Sequence, residues 1–406
     1  MKIILIEKDK SLRIDGIGMF TNRLYDYLTD RNHEVYILRF SNNVNNEKNT
    51  FNIPYYIASI QNLIILPTED SLAILKKYLI RLKPDLVYTP IGFSPLDIFL
   101  PTLCHELGIP IVGAWHMDFN QSMNSYQILF KSLFLAYTPI CKQMDLLHVF
   151  SDKLAKFYIA KGVEPKKILT LSNGVDPRVY KRKQTSQFAR ENKIKRGILF
   201  LGRLNMQKNP DLLIKSFLSL HPPESIKLVM AGNGEMEENL REEFGNESRI
   251  LFTGLVEDES KKIDIINSCD IFVLPSKFEG VSLSLLEGMS CELACIASDA
   301  GSNSEVLGEA GIVIRLSQLK NQLPLAMRIL LDYPVLSDYL AKKSRKRILK
   351  SYSQEIIFSK LVSRLEQVVF NFKIRRRKTE PIDINEKIFN KIEDLWKKAK
   401  DYIAQE

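Results

Sequence analysis

At 406 residues, with 45% hydrophobic and 26% charged residues, the chain has the composition of an ordinary soluble protein and the length for two domains, each with its own core. No run approaches the roughly 20 apolar residues of a membrane span, and the longest candidate, Ile128 to Ile140, is interrupted by Lys131. The formal charge of +9 is spread out, with 20 basic against 17 acidic residues in 1–180, 27 against 24 in 181–372 and 10 against 7 in 373–406.

Met1-Lys2-Ile3-Ile4-Leu5-Ile6 reads as a first strand and not a signal peptide, because charged residues follow at once. Short β-rich runs then alternate with helical patterns nearly to the end, which predicts parallel sheets with crossover helices. The expected strands of the first half are Lys2–Ile6, Glu34–Arg39, Leu86–Tyr88, Ile109–Ala114, Leu147–Phe150 and Ile168–Leu171. Those of the second are Ile198–Leu201, Lys227–Ala231, Arg249–Thr253, Ile271–Leu274, Leu293–Ala297 and Ile312–Ile314. Between the sets, Tyr180 to Arg196 is polar, charged and aperiodic, which places a domain boundary there. Two such α/β halves make a cleft, the expected ligand site. Cys104, Cys141, Cys269, Cys291 and Cys295 are odd in number and form no C-x2-C, so they read as reduced core thiols of a cytoplasmic protein.

The richest segment is Phe278-Glu279-Gly280-Val281-Ser282-Leu283-Ser284-Leu285-Leu286-Glu287-Gly288-Met289. It follows the strand Ile271–Leu274 and runs into a helical pattern expected to start near Ser282 or Leu283. Strand, loop and helix N-terminus present backbone N–H groups and a positive dipole end to an anion. Two carboxylates flanking that end suit a ligand with a hydroxyl-rich ring on each side of a phosphate, which is a nucleotide sugar. Gly202-Arg203-Leu204 and Gln207-Lys208-Asn209-Pro210 follow another strand, and both cations can reach the cleft.

With these motifs the chain resembles the retaining glycosyltransferases of the GT-B fold, specifically the large family four (glycosyl transferases group 1). Their signature F-E-G-x6-E-A-M aligns with Phe278 to Met289, and G-R-x4-K-N with Gly202 to Asn209. The resemblance implies two Rossmann-like domains facing across a cleft, with a C-terminal helical extension. It places an acceptor domain at 1–180 and a donor domain at 181–352. A helix over 353–372 would cross back to brace the first domain, and 373–406 would be a basic linker plus a helix striped with Ile388, Ile392, Leu395, Trp396, Ala399 and Ile403.

By the same resemblance Arg203 and Lys208 hold the donor diphosphate, Glu279 the sugar hydroxyls, Glu287 the ribose, and His116 the transferred sugar from the first half. Gly280, Val281, Ser282 and Leu283 line the diphosphate. Gly232 and Gly234, in Ala231-Gly232-Asn233-Gly234-Glu235, lie by the base or make a plain strand-to-helix turn. Gly16 and Gly18 sit in a loop before the helical pattern Met19 to Leu28, and by the resemblance their backbone approaches the donor's phosphates and sugar. Asp118 either joins His116 or caps a helix. Asn173-Gly174 reads as a tight turn near the hinge. Gly288 replaces a usual Ala, and Gly301-Ser302-Asn303-Ser304-Glu305 lacks a usual Pro.

The implied activity is hexosyl transfer from a nucleotide-diphosphate sugar to an acceptor hydroxyl of a lipid, glycan or small molecule, with retention and without a metal or other cofactor. No D-x-D stands at a strand end. No nucleic-acid partner is expected. Lys342, Lys343, Arg345, Lys346, Arg347 and Lys350, and Lys373 with Arg375 to Lys378, form basic clusters that suit an anionic inner membrane face or a solvated surface. The alternatives are another GT-B enzyme, such as an epimerase, or a non-catalytic nucleotide-sugar-binding protein.

Overall fold

The computed structural model describes residues 1–8, 16–42, 47–58, 64–92, 94–116, 132 and 134–378. The first half contains β1 (Lys2–Lys8), β2 (Glu34–Phe40), β3 (Thr50–Ile53), β4 (Tyr55–Ala58), β5 (Ile64–Pro67), β6 (Leu86–Pro90), β7 (Ile111–Trp115), β8 (Leu146–Val149) and β9 (Ile168–Thr170). The second contains β10 (Arg196–Leu201), β11 (Ile226–Ala231), β12 (Ile250–Gly254), β13 (Ile271–Leu274), β14 (Ala294–Ser298) and β15 (Gly311–Ile314).

Two parallel sheets result, ordered β3-β2-β1-β6-β7-β8-β9 and β12-β11-β10-β13-β14-β15, with β4 and β5 forming a separate antiparallel pair. The central strands are largely apolar because helices cover both faces; Leu86, Val87 and Tyr88 of β6 are at most 1% exposed. All twelve expected strands are present, several with ends shifted by one or two residues. Three more, β3, β4 and β5, lie in a stretch whose Asn, Pro and Tyr residues give no clear alternation.

In each sheet the strand order reverses beside its first strand. In the second sheet β10 lies between β11 and β13, paired Ile198 with Ile271. Loops leaving the carboxyl ends of such neighbours diverge and open a crevice, where ligands of doubly wound sheets bind. The loops after β10 and β13 are those that carry Arg203, Lys208 and Glu279.

The helix Gln354–Lys378 returns to the first half. Tyr27 and Arg31 donate to Glu355 at 3.1 and 2.7–2.8 Å, and Phe358 stacks edge-on against Phe20 and Tyr27. Further along, Lys373 pairs with Asp85 and Arg375 with Asp145, each at 2.8 Å. Gly174 is explained by this crossing. Its backbone is not left-handed, and a Cβ there would stand 2.8 Å from the Gln354 Cα, so close packing and not a tight turn requires glycine.

The stretch expected to be aperiodic holds a short helix, Gln187–Glu191. Its first amides, on Gln187 and Phe188, donate to the Asp264 carboxylate, so tertiary contact supplies what periodicity does not. All five cysteines are buried and unbonded to one another. Burial raises their thiols, Cys141 to about 11 and Cys269 and Cys291 to about 12, so they stay protonated and inert.

Candidate active site

Ser282 is the N-cap of the helix Leu283–Ser290, its Oγ accepting from the Leu285 amide at 3.3 Å. Such a cap stabilises the helix by about 1 kcal/mol. Leu285, Leu286 and Met289 are fully buried, each contributing roughly 1.5–3 kcal/mol. The helix is therefore fixed with its N-terminus at the carboxyl end of β13, as expected, and Gly280 to Leu283 form the approach to it.

Glu279 is 6% exposed on the loop before this helix. Its Oε1 accepts from Lys208 Nζ at 2.5 Å and from Ser276 Oγ at 2.6 Å. Lys277 N donates to Gln207 O at 2.7 Å, tying the loops after β10 and β13 together. Gly301 has φ +55°, and a Cβ on it would fall on the Glu279 carbonyl, so only glycine lets the loop after β14 pass so close. Arg203 lies half-buried on the loop after β10. Gly232 and Gly234 face that loop: a Cβ on either would strike Gly202 O or Leu204 O, and Leu204 N donates to Asn233 O at 2.8 Å. They brace the Arg203 loop from behind.

Glu287, 3% exposed, sits one turn inside the helix, and its Oε1 accepts from Lys262 Nζ at 3.1 Å and Arg23 Nη2 at 3.4 Å. Lys262 comes from the helix Glu259–Asn267, and Arg23 from the first half. Neither cation belongs to a recognisable motif; only the fold brings them to Glu287. The buried Tyr180 beside them has its hydroxyl pKa pushed far up, chiefly by burial and then by the Glu287 charge.

From the first half, His116 directly follows β7, its carbonyl 3.0 Å from where a Cβ on Gly280 would stand, so the two halves meet at the Glu279–Gly280 loop. The His116 ring packs against Phe150 at 4.4 Å and Phe20 at 5.0 Å between centroids. Asn173 Nδ2 donates to Val281 O at 3.0 Å across the same junction. Gly16 and Gly18 lie within the first turn of the helix Gly16–Thr29, because helical hydrogen bonding begins three residues before the apolar periodicity does. Asp118 and the apolar stripe Ile388–Ile403 lie outside the described residues. Ser302 Oγ and both amide atoms of Asn303 are buried without a hydrogen-bond partner beside this loop.

The basic clusters prove heterogeneous. Arg345 donates to the carbonyls of Pro177, Tyr180 and Ser290, and Arg347 to those of Glu305 and Val306. With Lys373 and Arg375 they brace the fold. Lys342, Lys346 and Lys350 are exposed, and Val335 (84% exposed) and Tyr339 (58%) occupy the same helical stripe. Among the described residues no helix is long and apolar enough to cross a membrane.

Comparison with known proteins agrees with this fold. Residues 14–179 match the sequence profile of Glycosyltransferase Family 4, and residues 181–347 that of Glycosyl transferases group 1. The Escherichia coli UDP-Gal:alpha-D-GlcNAc-diphosphoundecaprenol alpha-1,3-galactosyltransferase is 26% identical over 72% of this chain and 78% of its own. A Campylobacter jejuni enzyme, N-acetylgalactosamine-N,N'-diacetylbacillosaminyl-diphospho-undecaprenol 4-alpha-N-acetylgalactosaminyltransferase, is 28% identical over 46% of this chain and 50% of its own. Against several curated relatives the chain spans about half of the relative's length. Among solved structures, Anabaena HepE in complex with UDP superposes with a TM-score of 0.71 at 14% identity, covering 90% of this chain and all of that one. The chain belongs to the glycosyltransferases of the GT-B fold, of the family-four, group 1 type.

Proposed function

We propose that this enzyme transfers a hexose, with retention of anomeric configuration, from a nucleotide-diphosphate sugar to a hydroxyl of a lipid-linked glycan. The observation that carries the proposal is the pairing of Lys208 with Glu279 beside the N-terminus of the helix Leu283–Ser290, at the strand-order reversal of the second sheet.

In this reading the arriving diphosphate takes Lys208, and Glu279, released from its cation, accepts from the sugar hydroxyls. Arg203, Lys208 and the helix N-terminus stabilise charge as it grows on the leaving diphosphate. Glu287 accepts from the ribose hydroxyls, and His116 meets the sugar from the opposite wall. The bond from the anomeric carbon to the phosphate oxygen breaks, and a bond to the acceptor oxygen forms on the same face. The acceptor proton passes to the departing diphosphate oxygen. The residues supply the cationic charge, so no metal is assigned and chelator should leave the rate intact.

A uridine donor is favoured by the UDP-Gal donor named for the E. coli relative and the UDP complex of HepE. Both relatives described above are named for undecaprenol diphosphate acceptors, which favours a lipid-linked acceptor. Such an acceptor calls for peripheral attachment on the inner membrane face. Lys342, Lys346 and Lys350, with Val335 and Tyr339 beside them, are the groups placed to provide it, each cation adding about 1 kcal/mol near an anionic surface.

The test is incubation with radiolabelled UDP- and GDP-sugars and a bacterial lipid extract, followed by anomeric analysis of the product. Label in the lipid fraction as an α-linked sugar from an α-linked donor is expected. An inverted product, or label only in water-soluble material, would overturn the reading.

A further inference from the structure

Arg23 is a second cation on Glu287, beyond the lysine that Glu287 has from its own half. Glu287 is buried and must be compensated, but Lys262, from its own half, already stands 3.1 Å away and is itself only 15% exposed. Arg23 approaches the same oxygen from the opposite half at 3.4 Å, and its other terminal nitrogen reaches Gly174 O, also at 3.4 Å. It lies on the helix Gly16–Thr29, three residues after Phe20, whose ring packs against His116 and against Phe358 of the crossing helix. One side chain thus spans the helix that supports the first wall, the strap between the halves, and the carboxylate of the second wall. Both of its hydrogen bonds are long, so the tie can yield.

We propose that Arg23 is a positioning residue that holds the two walls of the cleft together by reading the charge of Glu287 from across it. A partly buried cation near a compensated carboxylate still gains from approach, and the gain disappears as the halves separate. The cleft is therefore drawn shut by the same carboxylate assigned to the ribose, and His116 is carried towards the sugar. The assignment rests on the proposed donor site, but its physical content is a distance between halves.

The five native cysteines are buried, so spin labels at Ile98→Cys and Val335→Cys, 45% and 84% exposed in the wild-type chain, report that distance. In nucleotide-free protein Arg23→Met should lengthen and broaden the distance distribution, and Arg23→Lys should restore part of it. Titrated with UDP, Arg23→Met should bind within about threefold of the parent, since the nucleotide contacts lie in the second half. Consumption of UDP-glucose should fall at least tenfold, separating turnover from affinity. An unchanged distance distribution in Arg23→Met would overturn the proposal. So would an affinity loss matching the turnover loss, which would make Arg23 a nucleotide ligand. Failure of the parent protein to bind either UDP or GDP would strike the donor-site reading, while the nucleotide-free distances would still decide the role of Arg23.

Discussion

On the second-half wall of the cleft the carboxylates are matched with lysines of the same half, Glu279 with Lys208 and Glu287 with Lys262. The first-half wall is aromatic. His116, Phe20, Phe150 and His148 pack with centroids 4.3–5.9 Å apart, and Tyr88 OH meets His148 Nδ1 at 2.8 Å. A charge-paired wall is preorganised: it exchanges one ionic partner for another when an anionic ligand arrives, at little reorganisation cost. An aromatic wall offers shape and a low dielectric, and its polar groups are tuned by burial. The second half is thus built to hold charge and the first half to offer shape and a dry surface, and four of the proposed catalytic and donor-binding charges, Arg203, Lys208, Glu279 and Glu287, sit on the second-half side.

The strongest way to break this contrast is to remove a cation from the charged wall. Lys208→Ala and Arg203→Ala should each slow transfer by roughly a hundredfold or more, as loss of one charge-stabilising donor does. Lys208→Ala should also lower stability. Lys208 is 21% exposed and Glu279 6%, so the site is less solvated than its loop composition implies, and the carboxylate loses its cation while keeping Ser276. Kinetics and thermal melting of each variant check both effects. Full activity in the double variant would move the diphosphate elsewhere.

Next in size, Glu287→Ala should weaken nucleotide binding by about 1.5–3 kcal/mol, the worth of hydrogen bonds to a charged acceptor. Binding isotherms against the parent measure it, and equal affinities would remove Glu287 from the ribose.

The aromatic wall predicts a pH effect instead. Burial lowers His148 to about 4, against an ordinary value of 6.5, so the folded state keeps it neutral while the unfolded chain takes up a proton. Stability from this residue is complete above pH 6.5 and is lost as pH falls towards 4, at about 1.4 kcal/mol per pH unit. Denaturant midpoints at pH 7.5 and 5.5 should differ by more in the parent than in His148→Gln. Parallel pH profiles would contradict the assignment.

The smallest effect belongs to the junction of the walls. Asn173→Ala removes the bond to Val281 O and should cost about 1 kcal/mol, with Gly174 left to hold the crossing helix. An unchanged melting temperature would show that this bond adds nothing in solution.

The same contrast governs how far the site was legible in the sequence. Arg203, Lys208, Glu279 and Glu287 fall in two contiguous segments directly after strands, so hydrophobic runs and turn residues locate them without tertiary knowledge. The start of the helix at Ser282 was readable because a serine precedes an apolar periodicity. The partners of Glu287 were not, since Arg23 and Lys262 stand 264 and 25 residues away and neither interrupts the pattern of its helix. The aromatic wall is drawn from residues 20 to 150, and apart from His116 its members are indistinguishable in sequence from core. The basic runs misled for a related reason. Composition cannot say that Arg345 and Arg347 spend their charge on backbone carbonyls while Lys342 and Lys346 remain exposed.

One nucleoside diphosphate is expected to bind the charged wall through Lys208 and Glu287. Isothermal titration of UDP and GDP into the parent, Glu287→Ala and Lys208→Ala proteins tests it most directly. One of the two nucleotides should bind at a single site, at least tenfold more weakly in each variant. Equal affinity in all three proteins, or no binding of either nucleotide to the parent, would contradict it.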